Sequence, residues 1–301
     1  MTTQPTQGWP GADAILGRMR TRPGDVLAST LIPPEAPAGR QRLLVLHGIY
    51  GRGRNWTTMA RELTAARPDW AAWLVDLRLH GDSPALSPPH TVAAAAADLV
   101  ALEDRVDAQA AAVLGHSFGG KVALAHAAGG HDHLSQAWII DSTPETRDPQ
   151  GSAWRLLDVV RRLPRTFPSR TDAAAAVTSH GYGQAVGAWM ASNLVHEAGR
   201  YRWRLDFDGM EALLRDFFAT DLWQVVEDPP AGTVLHFVKA NDSHVLSEDG
   251  CARIEAAGAR HGRAHLHRVA GGHWVHVENP DAVLGLLLTH LPGAPTTGLP
   301  R

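Results

Sequence analysis

Ser117 stands between two glycines in Gly115-His116-Ser117-Phe118-Gly119, directly after the apolar run Ala110 to Leu114 and ahead of a helix-like segment. Small flanking residues let a backbone turn sharply from strand to helix, which presents a serine hydroxyl above the sheet edge near a helix N-terminus. Such a hydroxyl is a weak nucleophile at neutral pH. It needs a histidine to take its proton and a carboxylate to orient that histidine. Among 17 histidines, His273 in Ala270-Gly271-Gly272-His273-Trp274 is the expected base, because it follows the last predicted strand on a glycine-rich loop. His276 follows it too closely to be independent. Two aspartates compete for the acid, Asp141 and Asp242, each at the end of a predicted strand opening on the same sheet edge, with a lean to Asp141.

Acyl transfer passes through an oxyanion, which requires preorganised donors. The backbone N–H of Phe118 is the first expected donor. Ile49 is the second, on the loop Leu46-His47-Gly48-Ile49-Tyr50-Gly51, with Tyr50 beside it as a pocket wall. Trp189 and Trp274 are further candidates for contact with substrate. The segment from Asp76 to Pro84 reads as structural, with Arg78, His80 and Ser83 satisfying buried backbone groups. This chemistry calls for no metal and no organic cofactor.

These residues must be positioned by regular elements. Apolar runs at 42–47, 72–76, 111–115, 137–141, 233–239 and 264–269 predict strands, with an antiparallel edge strand at 25–32. Helical patterns fall at 56–66, 91–106, 118–128, 247–262 and 280–291. That alternation predicts an α/β fold with a mostly parallel sheet covered on both faces. It stops between Ser142 and Pro230, where the chain is helix-like and aromatic. The division expected is a core of 1–141 and 231–301, with 1–24 and 292–301 loose, and a helical cap at 142–230 over the carboxyl ends of the strands.

The balance of 28 basic and 31 acidic residues, without a long run of like charge, predicts no nucleic-acid partner. Cys251 is the single cysteine, which excludes an intramolecular disulfide, and it reads as a small apolar helix residue. No signal-like or span-length apolar stretch is visible, so the expectation is a soluble cytoplasmic protein, a monomer or small homo-oligomer, without a membrane partner.

Taken together, His47-Gly48, Asp76 through Ser83, Gly115-His116-Ser117-Phe118-Gly119-Gly120-Lys121, Asp141 with Pro144, and Gly272-His273-Trp274 with Glu278-Asn279-Pro280 resemble the alpha/beta-hydrolase superfamily. The likeness is nearest to small bacterial carboxylesterases and acyl thioesterases whose elbow reads G-H-S-x-G-G-K. It implies an alpha/beta-hydrolase fold with a helical lid after the sixth strand, and a serine hydrolase acting on a small-molecule ester of short to medium acyl chain. Thioesters, lactones and carbon–carbon bonds are the alternative substrates it implies, and a non-catalytic ligand-binding homologue is the alternative outside enzymes. Most such proteins carry the acid after the strand that here ends near Lys239, which favours Asp242; in the esterase branch a serine takes that place, as Ser243 does here, and the acid follows the preceding strand. In the cap, Trp154, Phe167, Tyr182, Trp189, Trp203, Phe207, Phe217, Phe218 and Trp223 either line a pocket or form the cap's own core. Arg155, Arg161, Arg162, Arg165 and Arg170 either bind an anionic leaving group or form a solvated face.

Overall fold

Uninterrupted apolar strands need cover on both faces, and this chain places them at the centre of a sheet between two helical layers. The computed structural model describes residues 26–33 and 40–293. Its strands, in chain order, are β1 (Ser29–Ile32), β2 (Gln41–Leu46), β3 (Trp70–Val75), β4 (Ala112–His116), β5 (Gln136–Ile140), β6 (Thr166–Phe167), β7 (Leu194–Glu197), β8 (Arg200–Trp203), β9 (Val234–Ala240) and β10 (Ala264–Val269). Seven of them form one sheet in the order β1-β3-β2-β4-β5-β9-β10. β1 pairs antiparallel with β3, as expected of the edge, and the other pairings are parallel.

One face of the sheet is covered by α1 (Thr57–Ala66) and the C-terminal helix Pro280–His290, through Met59, Leu63, Val283 and Leu287. The other is covered by α2 (Val92–Val106), α3 (Phe118–Ala127) and the helix Glu248–His261, through Leu99, Val122 and Ile254. Cys251 is buried in the last of these. Caps fix where helices begin: the Thr91 hydroxyl accepts the Ala94 N–H at 3.0 Å, and that of Ser247 accepts the Gly250 N–H at 2.9 Å. Each such cap is worth about 1 kcal/mol.

Between β5 and β9 lies the cap, and here the structure departs from expectation twice. Five strands precede it in the described residues, not six, because a single antiparallel strand forms that edge of the sheet. Nor is it purely helical. Besides α4 (Ser152–Arg162), α5 (Arg170–Thr178), α6 (Gln184–Ala191), α7 (Phe207–Ala219) and α8 (Trp223–Glu227), it carries a three-stranded antiparallel sheet, β6-β8-β7. The β7–β8 hairpin turns at Ala198 and Gly199, both with positive φ, 50° and 76°. That is the handedness a two-residue hairpin loop requires.

The N-terminal stretch expected to be loose lies outside the described residues, as does 294–301. Pro292, expected in that tail, is held: its carbonyl accepts the Trp70 indole N–H at 3.2 Å. No helix of the described residues is long and apolar enough to cross a membrane.

Candidate active site

Ser117 is the turn between β4 and α3, with φ 54° and ψ −117°, a region that side chains other than glycine rarely adopt. Two glycines make the turn possible. A Cβ on Gly115 would stand 1.9 Å from the Gly119 carbonyl oxygen, and one on Gly119 would stand 2.4 Å from that of His47. No larger residue fits either place.

Ser117 Oγ lies 3.1 Å from His273 Nε2, and His273 Nδ1 lies 2.7 Å from Asp141 Oδ2. Asp141 is fully buried at the end of β5. Its carboxylate also accepts the Ser243 hydroxyl at 2.5 Å and the Ala240 N–H at 3.2 Å. With the Nδ1 proton donated to the carboxylate, Nε2 is left as the acceptor for the serine proton, the arrangement that activates a hydroxyl. Asp242 does not join this group. Its side chain is exposed, while its N–H donates to the Gly271 carbonyl at 3.0 Å. The backbone beyond β9 therefore points Ser243, not Asp242, at the buried carboxylate.

The loop after β2 holds the expected second donor. Tyr50 has φ 63°, and its N–H is occupied, donating to His80 Nε2 at 3.0 Å. The N–H groups of Ile49 and Phe118 have no protein acceptor among the described residues. His47 braces the same loop, its Nε2 accepting the Leu77 N–H at 3.0 Å and its Nδ1 donating to the Gly48 carbonyl at 2.7 Å. Burial lowers the pKa of His47 to about 4 and that of His80 to about 3, so both rings stay neutral and keep the lone pair that accepts these N–H groups. Arg78 and Ser83 are structural as expected, Arg78 paired with buried Asp98 at 2.7 Å and Ser83 accepting the Ala28 N–H at 2.9 Å.

A cavity of about 440 Å³ opens over Ser117 and His273. The sheet side contributes Ile49, Tyr50, Trp56, Trp274, His276 and Val277; the cap contributes Ala153, Leu156, Tyr182, Val186 and Trp189. Trp189 meets Trp274 edge-on at 4.6 Å between ring centroids and Tyr50 at 6.1 Å. Of the cap aromatics, only Tyr182 and Trp189 line this cavity; others, such as Phe167 against Trp203 at 5.6 Å, form the interior of the cap. His276 is wall rather than base, stacked on Trp56 at 4.7 Å and lowered by burial to about 4. None of the five arginines lines the cavity; Arg161 is paired with Asp208 and Glu211, and Arg170 lies 5.3 Å over Tyr201.

Two features escaped the sequence reading. Asn193, buried in the cap, donates to the Tyr50 carbonyl at 2.9 Å. Lys121, one turn after Ser117 and fully buried, donates to the carbonyls of Glu145, Phe217 and Thr220 at 2.8, 2.6 and 2.9 Å. These carbonyls lie at the entry to and exit from the cap, so the elbow helix and the cap base are pinned together. Burial lowers the pKa of Lys121 to about 7. A lysine among buried positions of a glycine-rich helix was the available signal, since a buried ammonium must find acceptors.

The family model described as the alpha/beta hydrolase family matches residues 43–286, most of the chain. The chain belongs to the alpha/beta hydrolase family. As an alpha/beta hydrolase it is similar to the lipase LipV of Mycobacterium tuberculosis, 31% identical over 216 residues, covering 68% of this chain and 75% of that protein. It is similar also to the esterase YbfF of Escherichia coli, 27% identical, covering 83% and 92% respectively. A solved marine microorganism esterase superposes with a TM-score of 0.76 at 21% identity, over 88% of this chain and 99% of that one, a likeness of fold.

Proposed function

We propose that this alpha/beta hydrolase cleaves carboxylic esters of short to medium acyl chain through an acyl-enzyme on Ser117. The observation that carries the reading is the continuous hydrogen-bonded line from Ser117 through His273 to buried Asp141 beneath an apolar cavity. His273 Nε2 takes the hydroxyl proton as Ser117 Oγ attacks the ester carbonyl, and the Ile49 and Phe118 N–H groups receive the oxyanion. The alcohol leaves with the proton from His273. A water then repeats the sequence on the acyl-enzyme, releasing the carboxylic acid and restoring Ser117. Asp141 holds the imidazolium in both halves, with Ser243 and the Ala240 N–H fixing the carboxylate.

The names of similar proteins, an esterase and a lipase among them, support ester chemistry. The lining supports an uncharged acyl group, and the absence of arginine from it gives no support to an anionic carrier such as coenzyme A. Labelling with a fluorophosphonate, beside turnover of p-nitrophenyl esters of graded chain length, tests the reading. The wild type is expected to label and to prefer chains below about ten carbons, and Ser117→Ala to lose both label and turnover. An intact wild type that does not label sinks the proposal.

A further inference from the structure

We infer that the cavity selects its ester by charge, favouring cationic over neutral and neutral over anionic substrates, with Glu278 as the selecting residue. This rests on the ester-hydrolase reading. Apart from His273, whose protonation belongs to the reaction, Glu278 is the only side chain lining the cavity, among the described residues, that carries charge at neutral pH. Its neighbours in the wall contribute no opposing charge. His47 and His276 are lowered to about 4 and His116 well below its ordinary value, all chiefly by burial, and no lysine or arginine lines the cavity.

The position of the carboxylate is fixed. Glu278 ends the short helix Val275–Glu278 that follows His273, and its Oε2 accepts the Gly272 N–H at 2.6 Å, next to the base itself. Oε1 has no protein partner among the described residues. Glu278 is exposed and Val277 beside it is 67% exposed, which puts the charge at the mouth. The wall behind it includes the half-buried rings of Tyr182, Trp189 and Trp274, aromatic groups of the kind that attract a cation and do nothing for an anion. A substrate with an ammonium on its alcohol end gains from both features. One with a carboxylate or phosphate there meets only repulsion.

At an exposed site the Coulomb term between unit charges about 4 Å apart corresponds to roughly a fivefold change in rate constant, and salt reduces it. The test compares kcat/KM for three butyrates of similar size: butyrylcholine, its uncharged carbon isostere 3,3-dimethylbutyl butyrate, and the anionic 3-carboxypropyl butyrate. In the wild type at low salt the cationic-to-neutral and neutral-to-anionic ratios are each expected at about threefold to tenfold, shrinking in concentrated salt. Glu278→Gln keeps an acceptor for Gly272 and is expected to bring the neutral-to-anionic ratio close to one and to shrink the cationic-to-neutral ratio to the part the aromatic rings supply. Glu278→Lys is expected to invert them. Ratios are taken within each variant, so a general loss of activity cancels. Turnover of the neutral ester with ratios near one in the wild type, or ratios unmoved in both variants, overturns the charge selection alone. A wild type that turns over none of the three overturns the ester reading and this inference with it.

Discussion

The sheet side of the cavity and the cap side are built by different means. Ser117 and Asp141 directly follow parallel strands, and His273 stands on the loop after β10, with main-chain bonds such as Ser117 N–H to the Ile140 carbonyl at 2.9 Å and Asp141 N–H to that of Val238 at 2.7 Å setting their places. Leu156, Tyr182, Val186 and Trp189 reach the cavity from helices or a turn of the cap, whose attachment relies on scattered side-chain bonds from Lys121, Asn193 and Tyr50. Main-chain ladders hold atoms to the tolerance that proton transfer demands, whereas apolar packing accepts substitutions of similar volume. Chemistry is thus expected to break sharply when the sheet side is changed, and selectivity to drift when the cap side is.

The sharpest break concerns the acid. Asp141→Asn is expected to lower ester turnover by about 10³ to 10⁴, and Asp242→Asn to leave it near wild type, measured on the same p-nitrophenyl ester. Equal losses in both would contradict the separation of buried and exposed aspartates.

Acid should act on the core before the cap. His47 and His80 are held neutral in the fold, at about 4 and about 3, while the unfolded chain protonates near 6.5, so the unfolded state binds more protons below that pH. Stability is therefore full above pH 6.5 and falls as the pH drops towards 4, by about 3 kcal/mol or more for each ring. The cap's His180 and His196 are exposed. Urea titrations at pH 7, 5.5 and 4.5 check this, and a midpoint that does not move would remove the buried-histidine account.

Lys121→Met tests the junction. It strands three buried carbonyls and is expected to cost about 2–4 kcal/mol of unfolding free energy, read by urea denaturation. Smallest is the drift on the cap side. Trp189→Ala opens the cavity opposite Trp274 and is expected to raise kcat/KM for an octanoyl ester relative to an acetyl ester about fivefold; no change in that ratio would take Trp189 out of the acyl wall.

How much of this was legible in the sequence follows the same division. Parallel strands and core helices agree within two residues, as 264–269 does with β10, because buried parallel strands write themselves as apolar runs, whereas the antiparallel edge strand expected from 25 begins only at Ser29. The elbow and His273 were readable from glycine spacing. The choice of acid was not, since Asp242 and Ser243 are neighbours and only the path of the chain after Ala240 decides which one turns inward. In the cap, β6 has two residues and the hairpin turns on Ala-Gly instead of the usual Asn-Gly, so the small sheet left almost no periodic signal. Lys121 belongs to the elbow motif, but nothing local says that its three acceptors lie 24, 96 and 99 residues away.

The strand order carries a consequence for the protein while it is being made. Chains fold from the N-terminus as they emerge, at about 5–20 residues per second, and here the proposed nucleophile Ser117 emerges first, the proposed acid Asp141 24 positions later and the proposed base only at residue 273. β9, which completes the far side of the acid's strand, cannot dock until the whole cap has passed through the ribosome. A nascent chain thus exposes the edge of β5 for the time the intervening segment takes to appear. The hydrogen-bonded set of Ser117, His273 and Asp141 closes only after β10 has emerged, and until β9 docks that open edge is the moment of greatest risk for aggregation.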